Sequence, residues 1–123
     1  MCKLNDLADR YIAMWNETDA VRRRALIAAV WTPDGAYVDP VVQSDGHGGI
    51  DAMVKAVQER FPGHRFARTS DVDAHHDRVR FRWTLGPDGG AAIVEGVDFG
   101  TVAGDRLKSI TGFFDKVPAG AQS

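Results

Sequence analysis

The chain has 123 residues, of which 44% are hydrophobic and 26% are charged, so it is sized for one domain with an ordinary core. A net charge of -2 gives no electrostatic reason to expect nucleic acid or an anionic membrane as a partner. The one cysteine, Cys2, excludes an intrachain disulfide and a cysteine-based zinc cluster. We expect a single cytoplasmic domain over residues 1–123, structured at about 4–117, with no signal peptide or membrane span.

Three segments have the periodicity of amphipathic helices. Apolar residues recur at spacings of three and four over residues 4–16. Thr18 or Asp19 can cap a second helix that continues to about residues 30–31. A third apolar stripe runs over residues 50–61 and is followed by a proline and a glycine, which predicts the end of the helix.

The segment between the second and third helices has the composition of turns around one short strand. Thr32 to Gly35 predicts a turn, and residues 36–39 predict a strand that Pro40 stops. The glycines of residues 46–49 predict a flexible loop before the third helix.

After residue 63 the apolar period changes from that of a helix to two. Residues 79–85 alternate most clearly, and residues 65–72, 91–102 and 107–117 are the other predicted strands. Short glycine-containing turns separate the last three strands, which predicts an antiparallel meander. Three helices covering one face of such a sheet make an α+β roll.

Tyr11 and Asp39 are polar residues among apolar neighbours. Tyr11 lies on the buried stripe of the first helix, where it is either a hydrogen-bonded core residue or a functional hydroxyl. Asp39 precedes Pro40, which is common in turns, but a carboxylate at a pocket mouth can also act as a base.

Asp98 is harder to explain by structure alone, because it lies in the middle of a predicted strand and aspartate is a poor strand former. Either the strand is an edge with Asp98 in water, or Asp98 is buried and protonated, since burial disfavours the charged form. A protonated carboxyl can donate a hydrogen bond. The four histidines show no metal-ligand spacing, so we expect no metal and no cofactor.

Three motifs together resemble the ketosteroid isomerase branch of the NTF2-like (SnoaL-like) superfamily. They are Arg10-Tyr11-Ile12-Ala13, Tyr37-Val38-Asp39-Pro40 and Val97-Asp98-Phe99, and the resemblance extends over nearly the whole chain. It implies a conical, cystatin-like α+β roll in which three helices and a curved antiparallel sheet enclose a pocket. It also implies a homodimer, for which the predicted outer sheet face bearing Arg68, Arg80, Arg82 and Thr84 could serve as a wet interface.

The resemblance implies cofactor-free proton transfer on a small apolar or carbonyl-containing ligand. Asp39 would be the base, while Tyr11 and a neutral Asp98 would donate to the enolate oxygen. Two alternatives stay open: a SnoaL-like cyclase, hydratase or lyase that uses Asp98 or Asp39, and a non-catalytic ligand-binding domain. The residues expected to line the apolar pocket are Trp15, Tyr37, Val54, Val57, Phe81, Trp83 and Phe113.

Overall fold

The computed structural model describes residues 3–118, and Cys2 lies outside this range. It contains the three predicted helices, α1 (Lys3–Asn16), α2 (Ala20–Val30) and α3 (Gly46–Arg60). None of these described helices is both long enough and apolar enough to span a membrane.

The helices begin and pack as their sequences indicate. Asp19 caps α2, because its Oδ2 accepts a hydrogen bond of 2.9 Å from the backbone N–H of Arg22. In α1 the residues at helical spacing are buried against the sheet and the other helices, and they include Leu7, Tyr11, Ile12 and Trp15.

The strands form one mixed sheet in the order β2-β1-β7-β6-β5-β3, with the short β4 pairing with β5. All described pairs are antiparallel except β1 with β7, which is parallel. The strands are β1 (Trp31–Val38), β2 (Gln43–Asp45), β3 (His64–Arg68), β4 (Asp73–His75), β5 (Arg78–Pro87), β6 (Val94–Ala103) and β7 (Arg106–Lys116).

The predicted α+β roll is confirmed, since three helices pack on a curved, unclosed sheet. The sequence predicted an antiparallel sheet, and this part of the prediction was wrong. The sheet is mixed, because the first strand, β1, lies parallel to the last one, β7. Short turns predict only neighbouring hairpins, whereas the pairing of β1 with β7 joins the first strand to the last one and leaves no local signal.

Three local predictions were wrong. Thr32 to Gly35 is part of β1, although the register shifts between Trp31 and Ala36. Within this irregular stretch the Gly35 backbone lies against the indole of Trp31, with no room for a Cβ atom. The glycines from Gly46 onward are not a loop but the first turn of α3. The predicted strand over residues 65–72 ends at Arg68.

The sheet depends on close contact at Gly96 in β6. A Cβ atom at this position would overlap the Trp83 indole and lie 2.6 Å from the carbonyl oxygen of Phe113. We therefore expect Gly96→Ala to lower the free energy of unfolding by roughly 1–3 kcal/mol, the usual cost of overpacking. Gly48→Ala is the control, because nothing lies near that Cβ position. Equal stability of the two variants in urea unfolding would contradict this packing.

Candidate active site

Asp98 lies at the centre of a buried hydrogen-bonded cluster. The hydroxyl of Tyr11 donates to its Oδ2 at 2.8 Å, and the indole Nε1 of Trp83 donates to its Oδ1 at 3.0 Å. β6 lies between β5 and β7, and Asp98 is 3% exposed, so it is not the solvated edge residue considered from the sequence. The cluster joins α1 to two neighbouring strands.

Burial changes the proton affinity of this cluster. Desolvation raises the pKa of Asp98 from 3.8 to about 7, against the opposing effect of the hydrogen bonds from Tyr11 and Trp83, and the charge of Asp39 raises it further. Desolvation, followed by the charge of Asp98, also raises the pKa of Tyr11 well above its usual value. The tyrosine therefore keeps its proton at neutral pH, while Asp98 can exchange its own.

Asp39 follows β1 and is held by three donors. Tyr37 donates its hydroxyl to Oδ2 at 2.6 Å, while the backbone N–H groups of Val41 and Val42 donate to Oδ1 at 2.8 and 2.9 Å. The two backbone bonds form the turn that an aspartate before a proline predicts. The same bonds fix the direction of the carboxylate, which borders the cavity described below.

Gly112 in β7 brings the two carboxyl groups together. An added Cβ at this glycine would lie 2.9 Å from Oδ1 of Asp98, 3.3 Å from Cβ of Asp39 and 3.4 Å from the hydroxyl of Tyr37. Gly112 also lies opposite Asp98 in the register of β6 and β7. The absence of a side chain here lets the two aspartates border the same space.

That space is a cavity of about 700 Å³ between the sheet, α1, α3 and the 39–44 segment. Tyr11, Asp39 and Asp98 all line it, together with aromatic and aliphatic side chains. A cavity of this volume is in the range of small-molecule sites, and a few polar groups in an apolar lining are typical of them.

The predicted pocket residues divide into two groups. Trp15, Tyr37, Val57 and Trp83 line the cavity. The other three predicted residues do not line it.

Val54 and Phe81 lie in the core, where the ring of Phe81 packs against that of Tyr11 at 5.7 Å. Phe113 is 51% exposed, because it neighbours Gly112 in β7 and its side chain points to the opposite sheet face.

Sequence reasoning missed two features of this site. It placed Trp83 in the lining but did not predict its hydrogen bond to Asp98, for which Gly96 makes room. It also overlooked Gly112. A glycine inside a strand can mark close approach of another group, so both positions carried a usable signal.

Among residues 3–118 no group of three or more metal-ligating side chains comes together. The residues that line the cavity support acid–base chemistry by carboxyl and hydroxyl groups.

The SnoaL-like domain model matches residues 8–110. A search of curated proteins found no match. Among solved structures, a SnoaL-like family protein of Agrobacterium tumefaciens, provisionally named an isomerase, is 36% identical with a TM-score of 0.88. The alignment covers 94% of this chain and 99% of that one.

More distant structures are similar in fold alone. A protein of Kribbella flavida, provisionally named a ketosteroid isomerase, is 18% identical, with a TM-score of 0.69 over 98% of this chain and 84% of that one. A protein of Jannaschia, provisionally named a SnoaL-like polyketide cyclase, is 17% identical, with a TM-score of 0.67 over 89% and 85%. The match over residues 8–110 and the 36% identity show that this chain belongs to the SnoaL-like domain family.

Proposed function

We propose that this protein is a cofactor-independent enzyme that transfers a proton at the carbon alpha to a carbonyl group, in the manner of a ketosteroid isomerase. The observation that carries the proposal is the pair of aspartates bordering one apolar cavity in opposite environments. Asp98 is buried and its pKa is raised to about 7, whereas Asp39 lies at the rim with three hydrogen-bond donors. Two such carboxyl groups can take separate acid and base roles.

In the proposed mechanism Asp39 is the base. Its carboxylate removes the proton alpha to the carbonyl and returns it further along the conjugated system. When substrate binds, the Tyr11 hydroxyl, which otherwise donates to Oδ2 of Asp98, would turn its hydrogen to the substrate oxygen. This hydrogen bond and one from the protonated carboxyl of Asp98 would stabilise the negative charge that develops there. The apolar walls exclude water and strengthen these hydrogen bonds.

Tyr11→Phe tests the oxyanion role. We expect kcat to fall by roughly a hundredfold, the scale of losing one oxyanion donor, with little change in KM. The substrate to assay first is a 3-oxo-Δ5-steroid, followed by simpler β,γ-unsaturated ketones. Phe81→Leu is a control for packing, because Phe81 contacts the Tyr11 ring but does not line the cavity. A Tyr11→Phe protein with full kcat would contradict the role.

A second function is favoured by the direction of the hydrogen bonds at Asp98. Both Tyr11 and Trp83 donate to it, so in this arrangement Asp98 accepts through both oxygens. With a pKa of about 7, such a carboxyl group is suited to taking and giving a proton at neutral pH. Asp98 would then be the acid–base group of a SnoaL-like cyclase, hydratase or lyase.

Comparison of two variants separates these functions. If Asp39 is the base, Asp39→Asn loses turnover and Asp98→Asn keeps part of it, since an amide still donates a hydrogen bond. If Asp98 is the acid–base group, Asp98→Asn loses turnover and Asp39→Asn keeps part of it. Tight ligand binding without turnover in the wild-type protein would favour the non-catalytic alternative.

We also propose that the protein is a homodimer through the outer sheet face. Phe99 and Phe113 are 41% and 51% exposed there, and their rings pack edge to face at 5.7 Å. Arg82 and Asp115 form an exposed ion pair beside them. Arg68 does not belong to this face, because it turns towards α1 and binds Asp9.

The dimer has a direct test by light scattering. We expect a mass of two chains at micromolar concentration for the wild-type protein and of one chain for Phe113→Asp, because a charge would replace the most exposed aromatic residue of the face. Val21→Asp is the control, since Val21 is an exposed apolar residue of α2. A monomeric wild-type protein would contradict the proposal.

A further inference from the structure

The cavity has an asymmetric charge distribution along its length. Asp39 and Asp98 border it at one end, beside Gly112. The one basic residue among its described lining residues is Arg60, in the last turn of α3. Arg60 forms no hydrogen bond or ion pair with any residue in the described range 3–118.

Arg60 lies at the end of the cavity opposite the aspartates. From Asp98 to Val94, β6 extends about 13 Å, and both residues line the cavity. At that end of β6, Val94 pairs with Leu85, and Leu85 pairs with Phe66 in β3. β3 begins four residues after Arg60, the last residue of α3, so Arg60 lies near this end of the cavity.

The length of the cavity measured along α3 is similar to its length along β6. Gly49 and Arg60 both line the cavity, and α3 rises about 16 Å between them. Gly49 lies near the 39–44 segment, since its added Cβ would be 2.8 Å from the Ser44 hydroxyl oxygen. The cavity therefore extends from the aspartate end to the Arg60 end along both walls.

We propose that Arg60 binds an anionic group, such as a carboxylate, at the far end of a substrate whose carbonyl lies at Tyr11 and Asp98. The substrate class is an oxo-acid with an apolar body that spans the cavity. The charge at Asp39 would repel the anionic group and Arg60 would attract it, so only one orientation brings the carbonyl to the acid–base end. This inference rests on the proposed function for the position of the carbonyl.

The lining between the two ends suits an apolar body. Trp15 and Phe66 pack with ring centroids 5.1 Å apart, and Phe66 contacts Trp83 at 5.7 Å. These three aromatic side chains all line the cavity. A guanidinium group can bind a carboxylate through two parallel hydrogen bonds, which supplies direction as well as charge.

The test compares 9-oxodecanoate with its neutral methyl ester, which has the same carbon chain without the charge. Binding is measured by quenching of tryptophan fluorescence, because Trp15 and Trp83 line the cavity. We expect the wild-type protein to bind the acid about tenfold more tightly than the ester, the scale of one charge-assisted hydrogen bond. The shorter 4-oxopentanoate, which cannot reach both ends, should bind more weakly than 9-oxodecanoate.

Arg60→Gln should reduce the preference for the acid to less than about twofold and leave the affinity for the ester unchanged. Arg65→Gln is the matched control, since Arg65 is an exposed residue of β3 that carries the same charge and does not line the cavity. It should keep the tenfold preference. Raising the salt concentration should weaken the preference in the wild-type protein and in the control.

A preference that persists in Arg60→Gln, or is lost equally in Arg65→Gln, would overturn the proposal. Failure of the wild-type protein to prefer the acid would do the same. Binding needs no proton transfer, so a protein that prefers the acid but never turns a ketone over would contradict the proposed function and support the anion site.

Discussion

Asp39→Asn should reduce the rate of proton transfer by at least about a thousandfold, within the range that a positioned general base contributes. An amide cannot accept the proton, yet it has nearly the shape of the carboxylate. Its oxygen can still accept from the backbone N–H groups of Val41 and Val42, and its NH₂ group can donate to the hydroxyl of Tyr37, which now acts as acceptor. The turn after β1 should therefore be preserved.

The measurement is single-turnover kinetics on a confirmed ketone substrate, together with ligand affinity and urea unfolding. We expect the loss in the chemical step, with affinity and the free energy of unfolding close to those of the wild-type protein. Asp45→Asn is a control for removing one negative charge, because Asp45 follows the 39–44 segment in sequence and does not line the cavity. Full activity in Asp39→Asn would eliminate Asp39 as the base and leave Asp98 as the candidate.

Asp98→Asn should change how stability depends on pH. Burial raises the pKa of Asp98 to about 7 in the folded protein, from 3.8. Between these two values the unfolded chain has released this proton and the folded chain has kept it, so the wild-type protein loses stability as the pH rises. Below 3.8 and above 7 both states carry the same charge at this residue, and its contribution no longer changes.

The size of this stability change follows from the pKa shift of Asp98. At 1.36 kcal/mol for each pKa unit, the free energy of unfolding of the wild-type protein should fall by about 4 kcal/mol relative to Asp98→Asn between pH 4 and pH 7.5. Asparagine matches the neutral acid, because its oxygen can accept from Trp83 and its NH₂ group can donate to Tyr11. Urea unfolding of both proteins across this pH range gives the difference directly.

Asp115→Asn is the control for this experiment, since Asp115 is an exposed strand residue. Its stability relative to the wild-type protein should change little between pH 4 and pH 7.5. A constant difference between the wild-type protein and Asp98→Asn would mean that Asp98 is ionised in the folded state. The oxyanion role of its neutral carboxyl would then be wrong.

The sequence predicted the fold and the position of the two buried polar residues for identifiable reasons. The helical stripe of α1 placed Tyr11 inside, and the alternation of β6 placed Asp98 on the same side as Val94 and Gly96, all of which are buried. A polar group in such a position needs a partner, and the structure provides one in the hydrogen bond between Tyr11 and Asp98.

The rest could not be predicted because it depends on contacts between distant segments. The parallel pairing of β1 with β7 brings Asp39 beside Gly112, residues far apart in the chain. The position of Arg60 at the cavity depends on how α3 lies over the sheet. The placement of Phe113 failed for a different reason: its neighbour Gly112 lies on the face that bears Asp98, and a prediction based on residue type alone does not fix the face of a strand.

The most direct test of proton transfer is solvent deuterium exchange, followed by proton NMR in D₂O. The protein is incubated with a 3-oxo-Δ5-steroid, with 9-oxodecanoate and with its methyl ester, and loss of the signal alpha to each carbonyl is recorded. We expect the wild-type protein to catalyse exchange in at least one of these ketones, Tyr11→Phe to slow it by roughly a hundredfold and Asp39→Asn to abolish it. Exchange at the wild-type rate in Asp39→Asn, or no exchange above buffer with any of the three ketones, would contradict the proposed function.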